Sequence, residues 1–292
     1  MYDIIIVGMG ISGITAAIYA KRSNKKVILL DKGLPGGLLN SIDKVSNYPG
    51  LIDVEGVEFA SILEQQIKKL EIDYKLEEVV ELRLENEIKQ VITSKGSYEA
   101  PKVILAMGRK AKYLGLDQER DLLGKGLSTC ATCDAYFYKG LDVAVVGTGN
   151  SALQESLYLS NIVNKVYILN RREGFRGDDD LVMKVKEKEN IEILSNVTVK
   201  EMIKKDNKLD KVLLSNGEYL EVKGVFIYIG FRPATEIVPA EILDEEGYVS
   251  VNEHFESIIP GVYAIGDIVK KNVYQLVVAA SDGAKVIYEM KN

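Results

Sequence analysis

The stretch of sequence that decides the fold is DVAVVGTGNSA, from Asp142 to Ala152, because it repeats the opening stretch DIIIVGMGISG, from Asp3 to Gly13. A shift of 139 positions aligns the two copies and places Gly10 on Gly149. Each copy has a run rich in β-branched residues, then a glycine turn, then the start of a helix-forming segment. A single repeat of this kind predicts two domains, each opening on the same supersecondary unit.

Each copy continues to a second apolar run, so the predicted unit is strand, turn, helix, strand. The short apolar runs are typical of strands buried in a parallel sheet. The predicted strands are Asp3–Val7, Lys26–Asp31, Asp142–Val146 and Lys165–Asn170, and the helices between them extend to about Arg22 and Asn161.

The glycines of the two turns predict dinucleotide binding. They permit a sharp turn and let backbone N–H groups approach a pyrophosphate at the helix N-terminus, where the helix dipole favours negative charge. A lone glycine motif is a weak signal, but here each motif lies between a strand and a helix in a unit of about 30 residues. The sequence therefore predicts two dinucleotide sites, built on Gly8, Gly10 and Gly13 and on Gly147 and Gly149.

The end of the second strand distinguishes the two sites. In the first copy it is Asp31, whose carboxylate can accept hydrogen bonds from an adenosine ribose. In the second copy the matching residue is Asn170, followed by Arg171, Arg172 and Arg176. Guanidinium groups bind a 2′-phosphate, which a carboxylate would repel. The first site thus suits FAD or NAD and the second suits NADP, although the arginines also fit a solvated basic turn.

Both cysteines fall in one motif, Cys130-Ala131-Thr132-Cys133-Asp134, just before the second repeat. Two intervening residues can hold the sulfurs close enough for a reversible disulfide. A buried structural pair is the alternative, but reduced cytosolic proteins seldom keep disulfides without a redox reason. Asp134 is a candidate proton donor or acceptor for a thiol, and it fits equally well as a turn or cap residue.

The amino-acid composition excludes several classes of metal site and of binding partner. The length of 292 residues predicts about two domains. One histidine and two cysteines cannot build a histidine-rich metal site, a four-cysteine zinc site or an iron–sulfur cluster. The net charge of −6, with basic and acidic residues interspersed, argues against nucleic acid as a partner. We therefore expect carboxylates, two thiols or a borrowed cofactor to do the chemistry, and no metal.

An uncharged run from Ile4 to Ala20 is near the lower limit of length for a membrane span. It lacks a basic leader, and three glycines divide it into an isoleucine-rich start and an alanine-rich end. A strand, a turn and a helix explain it better than a signal peptide or an anchor. The sequence predicts a soluble cytoplasmic protein with no membrane partner.

The C-terminal region predicts a strand from Gly261 that ends in the dipeptide Gly266-Asp267. An amphipathic helix follows, from about Tyr274 to Met290. The N-terminus of a helix aimed at a flavin would stabilise the negative charge of its reduced form.

Together these features resemble the bacterial-type low-molecular-weight thioredoxin reductase family, over essentially the whole chain. The most specific stretch runs from Cys130 to Ala152. The resemblance implies an α/β fold with two Rossmann-like dinucleotide-binding domains, one inserted into the other, of the pyridine nucleotide-disulfide oxidoreductase type. The supporting matches are Gly36-Gly37, Asn47-Tyr48-Pro49-Gly50, Arg171-Arg172-x-x-x-Arg176 and Gly261 to Asp267.

The resemblance also implies the domain boundaries. A discontinuous FAD-binding domain is expected at about 1–111 plus 241–292, and an inserted NADPH-binding-like domain that carries the dithiol at 112–240. The chain crosses between them near Lys112-Tyr113-Leu114-Gly115 and Arg232-Pro233-Ala234, where glycine and proline can absorb hinge rotation. A homodimer is implied as well.

The activity implied by the resemblance is transfer of electrons from NADPH through FAD and the dithiol to thioredoxin. Cys133 would face the flavin and take its electrons, and Cys130 would attack the thioredoxin disulfide. Asp134 would be the acid that protonates the departing thiolate.

Carried over residue by residue, the resemblance implies two sets of contacts. The FAD set is Gly8, Gly10, Ile11, Ser12, Gly13, Asp31, Lys32, Gly37, Leu38, Asn47, Ala106, Gly108, Gly266, Asp267, Tyr274, Gln275 and Leu276. The NADP set is Gly147, Gly149, Asn150, Ser151, Arg171, Arg172 and Arg176.

The sequence departs from the family pattern at positions that concern the electron donor. Asn170 stands where the family usually has His, Tyr274 where it has Arg, Leu38 where it has Gln, and Met107 where it has Thr. The run Asp178–Asp180 is also atypical and would weaken a phosphate site that it faced.

Other functions of the same fold remain as alternatives to thioredoxin reduction driven by NADPH. Some relatives of this fold take electrons from reduced ferredoxin and have degenerate pyridine-nucleotide motifs. A dithiol oxidase of the same fold would pass electrons in the opposite direction, from a small dithiol to oxygen. A pyridine-nucleotide oxidase without a thiol role, or a binding module without turnover, is disfavoured by the intact dithiol.

Overall fold

The computed structural model describes residues 1–42 and 44–290, and the chain divides into two compact units. The first unit comprises Met1–Lys110 and Arg232–Asn292, and the second comprises Ala111–Phe231. The second unit is therefore an insertion in the first.

The chain returns to the first unit at Arg232, which lies in the crossing that the sequence placed near Arg232-Pro233-Ala234. The predicted bound of the FAD-binding domain, residue 241, lies later in the chain. The reason lies in two contacts of the intervening segment. The Ala234 N–H donates to the carbonyl of Gly108 at 3.0 Å, and the side chain of Val238 is buried in the core of the first unit.

The first segment of the chain forms strands and two types of helix, among them a 3₁₀ helix at Gly37–Ser41. The strands are β1 (Ile4–Val7), β2 (Val27–Asp31), β3 (Lys44–Val45), β4 (Val54–Glu55), β5 (Asp73–Leu76), β6 (Val79–Arg83), β7 (Lys89–Thr93), β8 (Ser97–Ala100), β9 (Lys102–Leu105) and β10 (Arg109–Ala111). The helices are α1 (Ile11–Arg22) and α2 (Gly56–Lys69).

The inserted unit follows, with a further 3₁₀ helix at Ala135–Tyr138. Its strands are β11 (Leu127–Ser128), β12 (Asp142–Val146), β13 (Lys165–Asn170), β14 (Ile191–Ser195), β15 (Val199–Lys205), β16 (Lys208–Leu214), β17 (Tyr219–Leu220) and β18 (Gly224–Ile227). Its helices are α3 (Glu119–Leu122), α4 (Ala131–Asp134), α5 (Asn150–Ser160) and α6 (Asp179–Lys186).

The last segment contains β19 (Phe231–Pro233), β20 (Val262–Ala264) and α7 (Leu276–Glu289), with 3₁₀ helices at Ala240–Ile242 and Gly266–Ile268. The strand predicted to reach Asp267 thus ends at Ala264 and is followed by a 3₁₀ turn. The turn begins at Gly266, whose φ of +71° lies in the left-handed region and cannot continue a strand.

A parallel sheet of order β20-β9-β1-β2-β5 forms the centre of the first unit. Residues of β1 alternate between its two faces. Ile4 and Ile6 pack in one core with α1, α2 and α7, whereas Ile5 and Val7 pack in another with β6, β7 and β8. Burying each of these side chains contributes about 1.5–3 kcal/mol to the free energy of folding. The opening apolar run therefore stabilises the packing on both faces of the sheet.

The second unit repeats this arrangement. Its parallel sheet has the order β11-β18-β12-β13-β14, in which β12 pairs with β13 and β18 as β1 pairs with β2 and β9. An antiparallel sheet of order β15-β16-β17 packs on one face and α5 on the other. The α/β fold with two Rossmann-like units is confirmed.

Glu119 holds the loop that opens the inserted unit. The Glu119 side chain is 5% exposed, and its carboxylate accepts backbone N–H bonds from Leu114, Gly115 and Leu116 at 2.6, 2.7 and 3.0 Å. Replacing Glu119 with Ala leaves three N–H groups without this acceptor, so we expect the free energy of unfolding in urea to fall by roughly 2–4 kcal/mol. The exposed neighbour Asp117 supplies the control. Asp117→Ala should change the same quantity by less than about 0.5 kcal/mol, and equal effects of the two substitutions would contradict this role.

Candidate functional site

The first glycine turn lies at the carboxyl end of β1, and two of its three glycines are required by the fold itself. A Cβ on Gly8, whose φ is +111°, would lie 2.3 Å from the carbonyl oxygen of Ala106. A Cβ on Gly13 would lie 2.1 Å from the carbonyl oxygen of Gly8. These two glycines let β1, β9 and α1 approach one another.

Gly10 is different, because nothing in the chain requires a glycine there. Its φ of −72° and ψ of 176° are open to any residue, and a Cβ would meet no atom within 4 Å. Gly10 immediately precedes α1, where the first N–H groups of the helix have no partner within the helix. This is the arrangement expected if a ligand approaches the backbone closely.

Asp31 ends β2 at the same edge of the sheet. Its carboxylate accepts N–H bonds from Met9 at 2.8 Å and Gly33 at 2.9 Å, so it is oriented against the glycine turn. Each carboxylate oxygen has a further lone pair for a ribose hydroxyl. Lys32, by contrast, is exposed and forms an ion pair with Glu78 at 3.0 Å.

The segment after β2 folds back onto the turn. The Gly36 N–H donates to the Met9 carbonyl at 2.8 Å, and a Cβ on Gly37 would lie 3.0 Å from the Cα of Gly10. Gly37 thus lies beside the open face of Gly10, and the Leu38 side chain next to it is exposed.

Residues far apart in sequence complete this edge of the sheet. The Asn47 amide donates to Oε1 of Gln275 at 3.0 Å across 228 positions, directly before α7 begins at Leu276. Gly266 packs against Ser12, because a Cβ on Gly266 would lie 2.5 Å from the Ser12 Oγ. Two contacts therefore join predicted FAD residues of the two segments, Asn47 with Gln275 and Ser12 with Gly266.

Asp267 is held by Arg109, a residue that the sequence interpretation missed. Their ion pair measures 3.2 Å and is largely buried, and burial raises the pKa of Asp267 above its ordinary value despite the arginine. The guanidinium of Arg109 also stacks on the ring of Tyr274 at 3.7 Å. The available signal was that Arg109 directly follows Gly108, one of the predicted contacts.

A second buried ion pair lies behind Gly266 and was also missed. Asp282 of α7 accepts the Gly266 N–H at 3.0 Å and pairs with Lys271. Asp282 is 6% exposed, so its charge requires these partners. An aspartate within the otherwise apolar start of the C-terminal helix was the signal in the sequence.

The second glycine turn repeats the geometry of the first. A Cβ on Gly147, whose φ is +135°, would lie 2.3 Å from the Tyr228 carbonyl oxygen, so this glycine is required by the fold. Gly149 has φ −84° and ψ 174°, and a Cβ there would meet no atom within 4 Å. Asn150 and Ser151, which begin α5, are exposed beside it.

The three predicted 2′-phosphate ligands, Arg171, Arg172 and Arg176, are all exposed. Asn170 shapes their turn, because its buried side chain donates to the carbonyl of Gly174 at 2.7 Å and accepts the Arg172 N–H at 3.2 Å. Over residues 1–42 and 44–290, no ion pair joins these arginines to the three aspartates that follow.

Cys130 and Cys133 form a disulfide, with their Cα atoms 5.4 Å apart, and Cys130 directly precedes α4. Cys130 is half-buried and Cys133 is exposed. The Cys130 Sγ lies 3.2 Å from the Cys133 N–H and 3.4 Å from the Thr132 Oγ1. These donors would stabilise a thiolate on Cys130 after reduction.

Tyr228 connects the dithiol to the second glycine turn and is a further residue that the sequence interpretation missed. Its hydroxyl accepts the Ala131 N–H at 2.7 Å, and its carbonyl crowds Gly147. Burial raises the pKa of Tyr228 far above its usual range, so the hydroxyl stays protonated. Asp134 is half-buried, and its charge adds to the rise in the pKa of Tyr228.

Within the described part of the chain, no helix has the length and apolar character that a membrane span needs.

Comparison with known proteins gives consistent matches over the whole chain. Residues 2–284 match the pyridine nucleotide-disulphide oxidoreductase family. The thioredoxin reductase of Bacillus subtilis is 37% identical, with 97% of this chain and 92% of that protein covered. The crystal structure of Lactococcus lactis thioredoxin reductase superposes with a TM-score of 0.91 at 31% identity, covering 99% and 97% of the two chains. A ferredoxin-flavin thioredoxin reductase from Clostridium acetobutylicum is 32% identical, with a TM-score of 0.54 and coverage of 99% and 96%.

Proposed function

The chain belongs to the pyridine nucleotide-disulphide oxidoreductase family, and we propose that it is a flavin-dependent thioredoxin reductase that uses NADPH as its electron donor. The curated relatives are thioredoxin reductases at 32–37% identity over most of the chain, which supports this reading over the dithiol oxidase. The observation that carries the proposal is the disulfide between Cys130 and Cys133, in a unit that also carries an open glycine turn.

The first unit has the residues to hold FAD. A Cβ at residue 10 would occupy open space beside the turn. Because Gly10 has no side chain, this space remains available to a pyrophosphate at the start of α1. Asp31 would accept a ribose hydroxyl, and Gly266, Asp267 and Gln275 would contact the rest of the cofactor from the C-terminal segment. When bound, FAD supplies a carrier that can exchange electrons with both a nicotinamide and a dithiol.

The dithiol would act by two exchanges. The Cys130 thiolate attacks one sulfur of the thioredoxin disulfide, which forms a mixed disulfide and releases one thioredoxin thiolate. Asp134, in the same motif, would give that thiolate a proton. The Cys133 thiolate then attacks the Cys130 sulfur and releases the second thioredoxin thiol. The substrate disulfide gains two electrons, and the Cys130–Cys133 disulfide forms again.

The second unit would bind NADPH. The exposed guanidinium groups of Arg171, Arg172 and Arg176 suit a 2′-phosphate, and Gly149 leaves the N-terminus of α5 accessible to a pyrophosphate. Asn170, where the family usually has His, serves the shape of this turn through its two hydrogen bonds.

We expect the flavin absorbance of the oxidised FAD-loaded protein to bleach within seconds of anaerobic mixing with NADPH in a stopped-flow instrument. Addition of oxidised thioredoxin should then restore the absorbance and give steady NADPH oxidation. NADH at the same concentration is the comparison, because it lacks the 2′-phosphate that the arginines would bind.

Other outcomes would replace the proposal. If NADPH leaves the absorbance unchanged while reduced ferredoxin bleaches it, the donor is ferredoxin. If the reduced flavin reoxidises rapidly in air and thioredoxin is not turned over, the protein is a dithiol oxidase.

A homodimer and a cytoplasmic location belong to the same proposal. Side chains of α1, α2 and α7 line a groove of about 510 Å³ on the first unit, among them Ile18, Ile62 and Val277. Ile62 and Val277 are exposed in the isolated chain, and a second copy would cover such apolar groups. Light scattering should give about twice the chain mass of 32.4 kDa.

A further inference from the structure

The loop between β13 and α6 lies directly against the second glycine turn. The N–H groups of Arg176 and Gly177 both donate to the Thr148 carbonyl at 3.0 Å. A Cβ on Gly177 would lie 2.5 Å from Cδ1 of Leu153 and 2.9 Å from Oδ1 of Asn150. The absence of a side chain on Gly177 therefore allows the loop to approach the start of α5.

This approach brings a carboxylate to the first residue of α5. The Asp178 N–H donates to Oδ1 of Asn150 at 2.7 Å, and the Asn150 amide donates to Oδ2 of Asp178 at 3.0 Å. Asp178 is the N-cap residue of α6, a position where an aspartate ordinarily accepts an N–H of its own helix. Its side chain makes no such bond, so its carboxylate is held on α5 instead.

The first unit makes the matching contact without a charge. Met9 and Thr148 occupy equivalent positions of the repeat, and the Met9 carbonyl accepts the N–H of Gly36. Gly36 is followed by Gly37 and a pair of leucines, and the carboxylate beside this turn, that of Asp31, accepts the N–H of Met9 rather than a group of the first helical residue. Among the residues that the structure describes, the second turn alone has an acidic side chain hydrogen-bonded to the residue that begins its helix.

We propose that Asp178 limits the affinity of the second turn for NADPH, because its carboxylate is hydrogen-bonded to the side chain of Asn150, the first residue of the helix whose N-terminus would attract the pyrophosphate. The inference rests on the proposed function. The partial positive charge at the start of a helix favours any nearby anion, and two anions at one helix terminus repel each other. Asp178 thus sets the affinity for the donor, while the arginines set the preference for its 2′-phosphate.

The test compares Asp178→Asn with the wild type, both loaded with FAD. Asparagine retains an oxygen that can accept the Asn150 amide and removes only the charge. We expect the Kd for NADP⁺, measured by isothermal titration calorimetry, to fall by roughly three- to tenfold, because a like charge beside the pyrophosphate is removed. The KM for NADPH should fall in parallel. The ratio of the wild-type Kd to the Kd of Asp178→Asn should be smaller in about 0.5 M salt, because salt screens the repulsion.

Asp179→Asn is the matched control, because Asp179 is an exposed neighbour in the first turn of α6. Its Kd for NADP⁺ should change less than about twofold, since an exposed charge farther from the turn is screened by solvent. Equal values of Kd for Asp178→Asn and the wild type, with measurable binding in both, would overturn the inference and leave the proposed function standing. Absence of NADP⁺ binding in both proteins would overturn the inference together with the proposed donor.

Discussion

Thioredoxin reduction by the Cys133→Ser variant is expected to fall by roughly a thousandfold or more, because serine cannot close the disulfide that completes the exchange. Cys133 is exposed and its replacement is nearly isosteric, so the fold and the FAD content should be unchanged. The measurement is NADPH oxidation coupled to thioredoxin, with the flavin spectrum recorded on the same sample.

The same variant can show which of the two cysteines attacks thioredoxin. The probe is a thioredoxin with a single active-site cysteine, carried as a mixed disulfide with thionitrobenzoate. The free Cys130 thiolate of Cys133→Ser should attack the thioredoxin sulfur and release one thionitrobenzoate anion, leaving a stable covalent complex. Cys130→Ser, which has lost the sulfur beside the Cys133 N–H and the Thr132 hydroxyl, should release far less at the same concentration.

The comparison of the two serine variants decides the roles. A stable complex with Cys130→Ser and none with Cys133→Ser would exchange the two assignments while leaving the proposed function intact. Full thioredoxin turnover by either variant would contradict a dithiol mechanism altogether.

The sequence could predict the parts of the site that depend on local constraints. A strand that ends in a glycine turn and continues as a helix is specified by residues that are neighbours in the chain, and the structure places both turns where the repeat indicated. The observed strand β13 has the predicted bounds, Lys165–Asn170, since its apolar run is bounded by polar residues on both sides.

Contacts between distant segments could not be predicted in the same way. Arg109 and Asp267 are 158 positions apart and meet only because β9 and β20 pair in parallel, so that both chain segments leave the sheet at one edge. Tyr228 reaches Ala131 over 97 positions for the analogous reason in the second unit. The proline at residue 233 marked the crossing itself, but the assignment of residues 232–240 to the first unit depends on tertiary contacts, among them those of Ala234 and Val238.

Replacing Gly10 with Val should weaken FAD binding in an otherwise folded protein. The backbone at Gly10 has ordinary dihedral angles, and a Cβ there meets no atom of the chain within 4 Å, so valine should cost the apoprotein little. A bound pyrophosphate, however, would compete with the valine methyls for the same space. We expect FAD binding to weaken by roughly 10- to 100-fold, as for other steric overlaps of this size. The measurement is FAD per chain after desalting, followed by flavin titration of the apoprotein.

Gly149→Val applies the same change to the second turn and should leave FAD content unchanged while raising the Kd for NADP⁺ by a similar factor. Gly96, at a hairpin turn of the first unit, also has open space around it, so Gly96→Val should alter neither affinity. Loss of FAD from Gly149→Val with retention in Gly10→Val would reverse the assignment of the units. Retention of both nucleotides in all three variants would mean that the openness at Gly10 and Gly149 serves no ligand. Because Gly10 and Gly149 have similar dihedral angles and equally open surroundings, the two valine substitutions apply the same steric test to the two turns.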